Sequence, residues 1–410
     1  YLIFCLSVFL GLFLGENSGG GSLIDHKYTL PAIENFSIDI ENGFKIYLSQ
    51  NLTIIHSPSF YVIAGFFLRI TQNILIVKII YIIISCFIPF IFYLIIKEKY
   101  KIKKDYIFYF SLLIFLSPYF RSSAIWLLGD NLSLLFFSLS VLFFVKIDIQ
   151  KNKLLNYYLC FFFLILCCYI RYYYCVFSIY FLIYFYKNLK LKTFFNILII
   201  SFFLSTPAFF YLYLIITKFN FFGTISNFGS LNYYSNTLII LSIILFYFLP
   251  FIIKNSYSIF EFYKNKYKRI LFVFLLILLI YFLDLIFQVN LIDFSSRGGG
   301  VFVKLSNLFG IDTGLFLSAI TFISLIVTDY LFKDNRLENY ILLSILICCF
   351  PFTVIYQKYL DPLFYFIFFG LVNCTHIKNL FLNETVELIF IYLYFSSFFL
   401  FSLIYYYEGA

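Results

Sequence analysis

Methionine is absent from this chain of 410 residues, Trp occurs once, His three times, and only 12% of positions carry a charge. The shortage of charge excludes the most. A soluble chain has about 25% charged and about 45–50% apolar residues. Here 63% are hydrophobic, and 62 Phe and 38 Tyr leave too little polar surface to cover a globule in water. Disordered, collagenous and disulfide-stapled classes fall with the same observation, since each needs a polar, Gly-periodic or Cys-dense composition. Six of the nine Cys (Cys86, Cys160, Cys167, Cys168, Cys348 and Cys349) lie inside apolar runs, where Cys behaves as a small hydrophobe. No CxxC pair or Cys/His cluster has metal-ligand spacing, so no metal or other cofactor is expected. Beginning at Tyr1, the chain reads as a fragment.

What is present is a series of apolar runs. A helix needs about 20 mostly apolar residues to cross a hydrocarbon core of about 30 Å. Cutting the runs where charges, Gly or Asn cluster predicts an all-α polytopic membrane protein forming a single transmembrane domain. It has twelve or thirteen spans: 2–14, 74–96, 106–120, 132–146, 154–170, 173–186, 194–216, 237–253, 270–287, 313–332, 340–356, 362–374 and 388–406. The first run, followed by small residues, has a signal peptide as its alternative reading.

Lys and Arg set the orientation, because short cytoplasmic loops hold the positive excess. One set of alternate connections contains Lys97 to Lys104, Lys146 to Lys153, Lys187 to Lys192, Lys254 to Arg269, and Lys333, Arg336 and Lys378, together 19 of the 29 basic residues. The net charge of +9 is therefore mostly topology, and no basic soluble module exists to bind nucleic acid. The opposite side carries the longer connections 15–73, 217–236 and 288–312, rich in Gly, Ser, Asn and isolated charges. Function is expected there, because long loops persist where they are used. Within the first loop, HSPSFYVIAGFFLRI is too short to span and reads as an interfacial or re-entrant helix.

An ionisable residue near the apolar region is costly and hence a candidate for function. The first loop offers Glu16, Asp25, His26, Glu34, Asp39, Glu41 and His56. Later come Arg121, Asp130, Arg171, Arg297, Lys304, Lys358 and Asp361. A carboxylate on one loop with several cations on the same face suits transfer from a lipid phosphate: the carboxylate takes a proton from a hydroxyl while Arg and Lys hold the phosphate. Each residue also has a plainer reading. Asp25 in a polar loop is solvated, Arg171 in a tight apolar hairpin snorkels to headgroups, and Asp130 caps the helix that Asn131 opens. Arg297 precedes Gly298 to Gly300, a stretch able to turn backbone N–H groups toward an anion or to serve as a flexible loop.

Three local patterns bear on family. An acidic position after the first run is followed by HSPSFYV from His56; an external turn leads into GDNLSLLFF from Gly129; and a late turn reads QKYLDP. In these the chain resembles the GT-C membrane glycosyltransferases, which use polyprenyl-phosphate-linked sugars. In LIDHKYTLPAIENF, IIHSPSFY and YIRYYY it is most similar to the α-1,2-glucosyltransferases that use dolichyl-phosphate-glucose. It departs from that group with Asp25-His26 for an acidic pair, Ser57-Pro58 for a proline pair and Tyr172 to Tyr174 after the arginine. The resemblance implies a GT-C fold and an inverting hexosyltransferase at the non-cytoplasmic face, with Asp25 at the position of the catalytic acidic residue. Arg171 and Lys358 then fall in turns that meet the donor phosphate, alongside Arg121, Arg297 and Lys304, with His26, His56, Asp130 and Asp361 as further polar candidates. The partners implied are membrane lipid, a polyprenyl-phosphate sugar donor, and a glycan or lipid-linked acceptor. A polysaccharide polymerase or ligase and a multi-span flippase or transporter are the alternatives. The last would show internal repeats and broken helices at the midplane, and no repeat is visible. Five N-x-(S/T) triplets, at Asn35, Asn51, Asn131, Asn373 and Asn383, are near chance in so Asn-rich a chain. The Phe/Ile/Tyr/Lys/Asn bias favours a bacterial inner membrane over an ER membrane.

Overall fold

A computed structural model describes residues 1–49, 57–101, 105–149, 154–218, 233–253, 256–287, 298–350, 354–380 and 385–407. Every regular element among them is helical. The chain divides into two compact units, residues 1–224 with 392–410 and residues 225–391.

The first unit holds α1 (Leu2–Phe13), α2 (Ser22–Ile38), α3 (Ile40–Ser49), α4 (Ser59–Thr71), α5 (Ile74–Tyr100), α6 (Asp105–Ser111), α7 (Pro118–Ile125), α8 (Gly129–Ile149), α9 (Leu154–Ile170), α10 (Phe177–Asn188) and α11 (Leu191–Lys218). The second holds α12 (Tyr233–Ile252), α13 (Ser256–Lys264), α14 (Tyr267–Phe287), α15 (Gly300–Phe309), α16 (Thr313–Leu331), α17 (Arg336–Cys348) and α18 (Thr375–Leu380). A last helix, α19 (Thr385–Tyr407), belongs to the first unit from Tyr392 onward.

Among the described residues six helices are long and apolar enough to cross a membrane: Ile74–Tyr100, Gly129–Ile147, Leu191–Tyr211, Tyr233–Ile252, Thr313–Asp334 and Leu388–Tyr407. Each falls on a span expected from the sequence. Apolar side chains also face outward in quantity, among them Phe202, Phe203, Phe209 and Phe210 on α11, which suits a lipid solvent and not water. The chain is an all-helical, membrane-embedded protein.

Other expected spans are shorter or broken. The run 106–120 divides into α6, a 3₁₀ turn at Leu112–Leu116 and α7. Pro118 causes the break, since its ring disfavours helix at the preceding residue and it has no N–H. Ser117 is accordingly extended, and its hydroxyl caps α7 by accepting from the Phe120 N–H at 3.0 Å. The run 173–186 begins as a 3₁₀ turn at Tyr172–Val176 and leaves α10 only 12 residues long. The run 362–374 forms a short helical turn, Leu363–Tyr365, that passes into a π-helix at Phe366–Leu371.

The first loop, read as polar and irregular around an interfacial helix, is instead mostly helical and packed. Asn35, Glu34 and Ser37 obscure its apolar stripe, yet Ile33 and Phe36 on α2 are buried against Phe60, Tyr61 and Ala64 on α4. Gly65 permits that approach, because a Cβ there would meet Phe36 Cβ at 2.8 Å and the Ile33 carbonyl at 2.9 Å. Tyr47, Tyr81, Leu127, Leu132 and Ile170 complete this core.

Candidate functional site

Three of the sequence-selected residues converge in the first unit. Asp25 lies in the first turn of α2, Asp130 in the first turn of α8, and Arg171 just past the end of α9. The Tyr61 hydroxyl sits in the electrostatic field of Arg171, Asp130 and Asp25 together. Arg171 Nε lies 2.9 Å from Asp130 Oδ1, an ion pair whose N–H is not aligned for a full hydrogen bond. α8 already begins at Gly129, so Asp130 lies inside its first turn and not at a cap, and its carboxylate reaches Arg171 just past the end of α9.

The turn that presents Asp130 is braced from several sides. Leu127 has φ of 53°, a left-handed conformation unusual for Leu. The Tyr81 hydroxyl donates to the Leu128 carbonyl and accepts from the Leu132 N–H at 3.1 Å. Asn131 Nδ2 donates to the Phe120 carbonyl at 2.9 Å and to Ser85 Oγ at 3.2 Å. A Cβ at Gly129 would press on Ile170 and Phe60, both at 3.2 Å, so glycine keeps the start of α8 close to the end of α9. These contacts hold Asp130 and Arg171 on fixed elements.

Tyrosines line the same place, and sequence reasoning did not select them. Tyr47 and Tyr61 have rings 5.8 Å apart, and the Tyr47 hydroxyl hydrogen-bonds Tyr211. Burial holds the Tyr61 proton firmly; Arg171 works against this, and Asp130 and Asp25 add to it. Tyr61 is thus a neutral hydroxyl between a cation and two carboxylates. The Arg171 guanidinium loses hydration through burial, but Asp130, Tyr173 and Tyr61 more than compensate and keep it charged. In a chain with 38 Tyr, composition hides those three; only their return to one charged cluster marks them.

His26, one residue along from Asp25, faces elsewhere. Its ring is 5.8 Å from that of Trp126, and its buried Nδ1 has no hydrogen-bond partner among the described residues. Burial first, and Lys78 second, push its pKa down to about 4, so His26 is neutral near pH 7. Lys78 Nζ stands over the Trp126 ring, 4.7 Å from its centre.

Arg121 occupies a separate cluster. Its Nε donates to Glu16 Oε1 at 2.8 Å, Nη1 to Ser7 Oγ at 2.8 Å and Nη2 to the Ser7 carbonyl at 2.9 Å. Trp126 Nε1 donates to the Glu16 carbonyl at 2.8 Å, and Ser18 Oγ donates to Glu16 Oε1 at 2.8 Å. Both members of the Arg121–Glu16 pair are buried. Four of the five Arg121 N–H groups are engaged inside the fold, by Glu16 and Ser7.

Lys304, Lys358 and Asp361 belong to the second unit. Lys304 is half-buried on α15, and Lys358 lies in the 3₁₀ turn Gln357–Tyr359, 5.4 Å from the centre of the Tyr356 ring. Asp361 is buried and precedes a cis proline, Pro362. The Gly298–Gly300 turn, expected to offer N–H groups to an anion or to be flexible, is strapped to this region. The Gly299 N–H donates to the Ile355 carbonyl at 2.8 Å and the Val301 N–H to Gln357 Oε1 at 3.1 Å. All three glycines have positive φ, which is why glycine fills the turn. Arg297 and His56 lie outside the described residues. Among the described residues no group of three His, Cys, Asp or Glu could hold a metal ion.

Compared with protein-family profiles, with curated proteins and with solved structures, the chain matches none. The functional reading therefore rests on chemistry and geometry, and the GT-C resemblance enters it only as a proposal.

Proposed function

We propose that the first unit carries the catalytic centre of an integral-membrane glycosyltransferase of the GT-C kind. It moves a hexose from a polyprenyl-phosphate carrier to a glycan or lipid-linked acceptor at the non-cytoplasmic face, in a bacterial inner membrane. One observation carries the reading: Asp25, Asp130 and Arg171, drawn from three helices distant in sequence, share the surroundings of the Tyr61 hydroxyl. Two carboxylates and a guanidinium in a half-buried setting are what proton abstraction and phosphate departure require.

The roles divide by position. Asp25 takes the proton from the attacking acceptor hydroxyl. The acceptor oxygen bonds to the anomeric carbon as the bond from that carbon to the phosphate oxygen breaks, and the electron pair leaves with the polyprenyl phosphate. The configuration inverts because attack and departure are on opposite faces. Arg171, held beside Asp130 through Nε, binds the departing phosphate with its planar guanidinium. Asp130 is a positioning residue that aims the guanidinium. No metal is called for in this scheme.

The test uses the full chain reconstituted in liposomes and supplied with polyprenyl-phosphate hexoses and a lipid-linked acceptor. Wild type forms product, Asp25→Asn loses turnover at unchanged donor affinity, and Arg171→Ala raises the KM for donor. Full activity in both variants removes the site assignment. Movement of an unmodified substrate across the bilayer without sugar transfer would instead support a transporter.

A further inference from the structure

A second charged cluster, in the second unit, has no part in the chemistry above. At the C-terminal end of α16 the buried Asp329 accepts from the Tyr263 hydroxyl at 2.8 Å and the Tyr340 hydroxyl at 2.8 Å. Arg269 Nη2 stands 3.4 Å and Arg336 Nη2 3.8 Å from the same Oδ1. Two arginines thus share Oδ1, which already accepts from Tyr340, while Tyr263 holds Oδ2. Lys266 and Lys333 crowd the same place: Lys266 Nζ is 3.3 Å from the centre of the Phe262 ring, and Lys333 Nζ is 5.9 Å from it and 5.0 Å from that of Tyr330. Their nearest companions are aromatic faces, not anions.

The charge balance of the neighbourhood is positive. At the ends of these elements that meet Asp329, Lys264, Lys266, Lys268, Arg269, Lys333 and Arg336 outnumber Glu261, Asp329, Asp334 and Glu338, the remaining acid Asp284 lying near the far end of α14. Three of those acids have taken neutral donors: Glu261 from Tyr257 at 3.0 Å, Asp334 from the Thr375 N–H at 2.8 Å and Glu338 from Asn335 at 2.5 Å. Limited hydration and the neighbouring Arg336, Arg269 and Lys333 hold Lys266 below the ordinary lysine range, despite Asp329. A cluster in which two arginines share one buried carboxylate and cations still outnumber acids gains by receiving an anion.

The surroundings say which anion. Tyr257, Phe260, Tyr267 and Leu337 are all exposed beside the cluster. Tyr257 and Phe260 lie on the short helix α13, whose buried contact is made by Tyr263. Exposed aromatic rings next to Lys and Arg, at the end of a span, are the pattern of a helix lying in the headgroup layer. A soluble phosphate would need the cations but not these apolar flanks.

We propose that Lys266, Arg269, Lys333 and Arg336 form a binding site for the phosphate of an acidic phospholipid headgroup. Asp329, Tyr263 and Tyr340 fix the two arginines, and the rings of α13 rest in the adjoining acyl boundary. The site is independent of the glycosyltransferase reading and stands if that reading fails.

Native mass spectrometry of the full chain in neutral detergent, titrated with phosphatidylglycerol or phosphatidylcholine, tests this. The wild type retains phosphatidylglycerol in preference to phosphatidylcholine. Lys266→Gln with Lys333→Gln, which breaks no ion pair, lowers that retention by about fivefold per cation removed. Adding Arg269→Gln and Arg336→Gln lowers it further. Lys190→Gln with Lys192→Gln, on another cationic turn, leaves it unchanged. Equal retention by the cluster variants and wild type overturns the proposal, as does an equal loss in the Lys190/Lys192 control. Displacement of the lipid by millimolar inorganic phosphate assigns the cations to a soluble anion and overturns the lipid assignment.

Discussion

Two buried arginines in the first unit each face a carboxylate, and they use it in opposite ways. Arg121 gives donors from all three guanidinium nitrogens to Glu16 and Ser7, and both charged partners are 7% exposed at the side chain. Arg171 meets Asp130 through Nε at 2.9 Å, with the Asp130 side chain 25% exposed. The first pair is closed and serves the fold, tying the segment after α1 to α7. The second is open, braced from behind by Tyr81 and Asn131, and faces a hydroxyl and a second carboxylate. A buried arginine marks function only when its donors are not already consumed.

The contrast is sharpest in stability. Arg121→Ala leaves Glu16 buried without its counter-ion and is expected to cost about 3–5 kcal/mol, the range for breaking a buried pair. Thermal unfolding in detergent checks it, and a variant as stable as wild type would make the closed pair irrelevant to folding. Arg171→Ala, which leaves a partly solvated Asp130, is expected to cost only about 1–2 kcal/mol in the same assay. The activity order reverses: Asp25→Asn lowers turnover about 10²–10⁴-fold, the span of a lost general base, while its melting curve stays near that of wild type. Acid sensitivity gives a smaller effect. The His26 pKa is depressed to about 4, so the unfolded chain takes up the proton first as pH falls below about 6.5. The stability His26 contributes is complete above that pH and is lost toward pH 4. Melting temperatures at pH 7 and pH 5 should differ in wild type and converge in His26→Gln; an unchanged difference in the variant places the acid sensitivity elsewhere. The smallest effect belongs to Tyr61→Phe, which keeps the ring packed and removes one hydroxyl, for a loss of about 1 kcal/mol in transition-state binding. Steady-state kinetics on the variant measures it.

Much of this architecture was legible in the residues. The six long apolar helices coincide with expected spans because a run of about 20 apolar residues has few other uses. The breaks were less legible. Pro118 announces one, but the 3₁₀ turn at Tyr172–Val176 lies in a run whose apolarity is unbroken, and only tertiary packing of Tyr173 and Tyr174 decides it. At the site, charge in an apolar context selected Asp130 and Arg171, which form an ion pair, and Asp25, which acts on the same Tyr61 hydroxyl. The same rule selected Arg121, since composition cannot reveal that Glu16 returns across more than a hundred residues to neutralise it. Tyr47, Tyr61 and Tyr211 were invisible because tyrosine is commonplace here. At the Gly298–Gly300 turn, composition could not reveal that the Gly299 N–H pairs with the Ile355 carbonyl.

The open arginine is the centre of the account, and direct binding of polyprenyl phosphate to the purified full chain tests it without any need to know the acceptor. Titration of wild type, Arg171→Ala and Arg171→Lys should give a Kd that rises about tenfold or more for Ala, as loss of a charge-assisted phosphate contact requires. Lys, a point charge without the planar fork, should fall between the two. Equal affinity in all three proteins, each folded by its melting curve, would contradict the assignment of Arg171 to the phosphate.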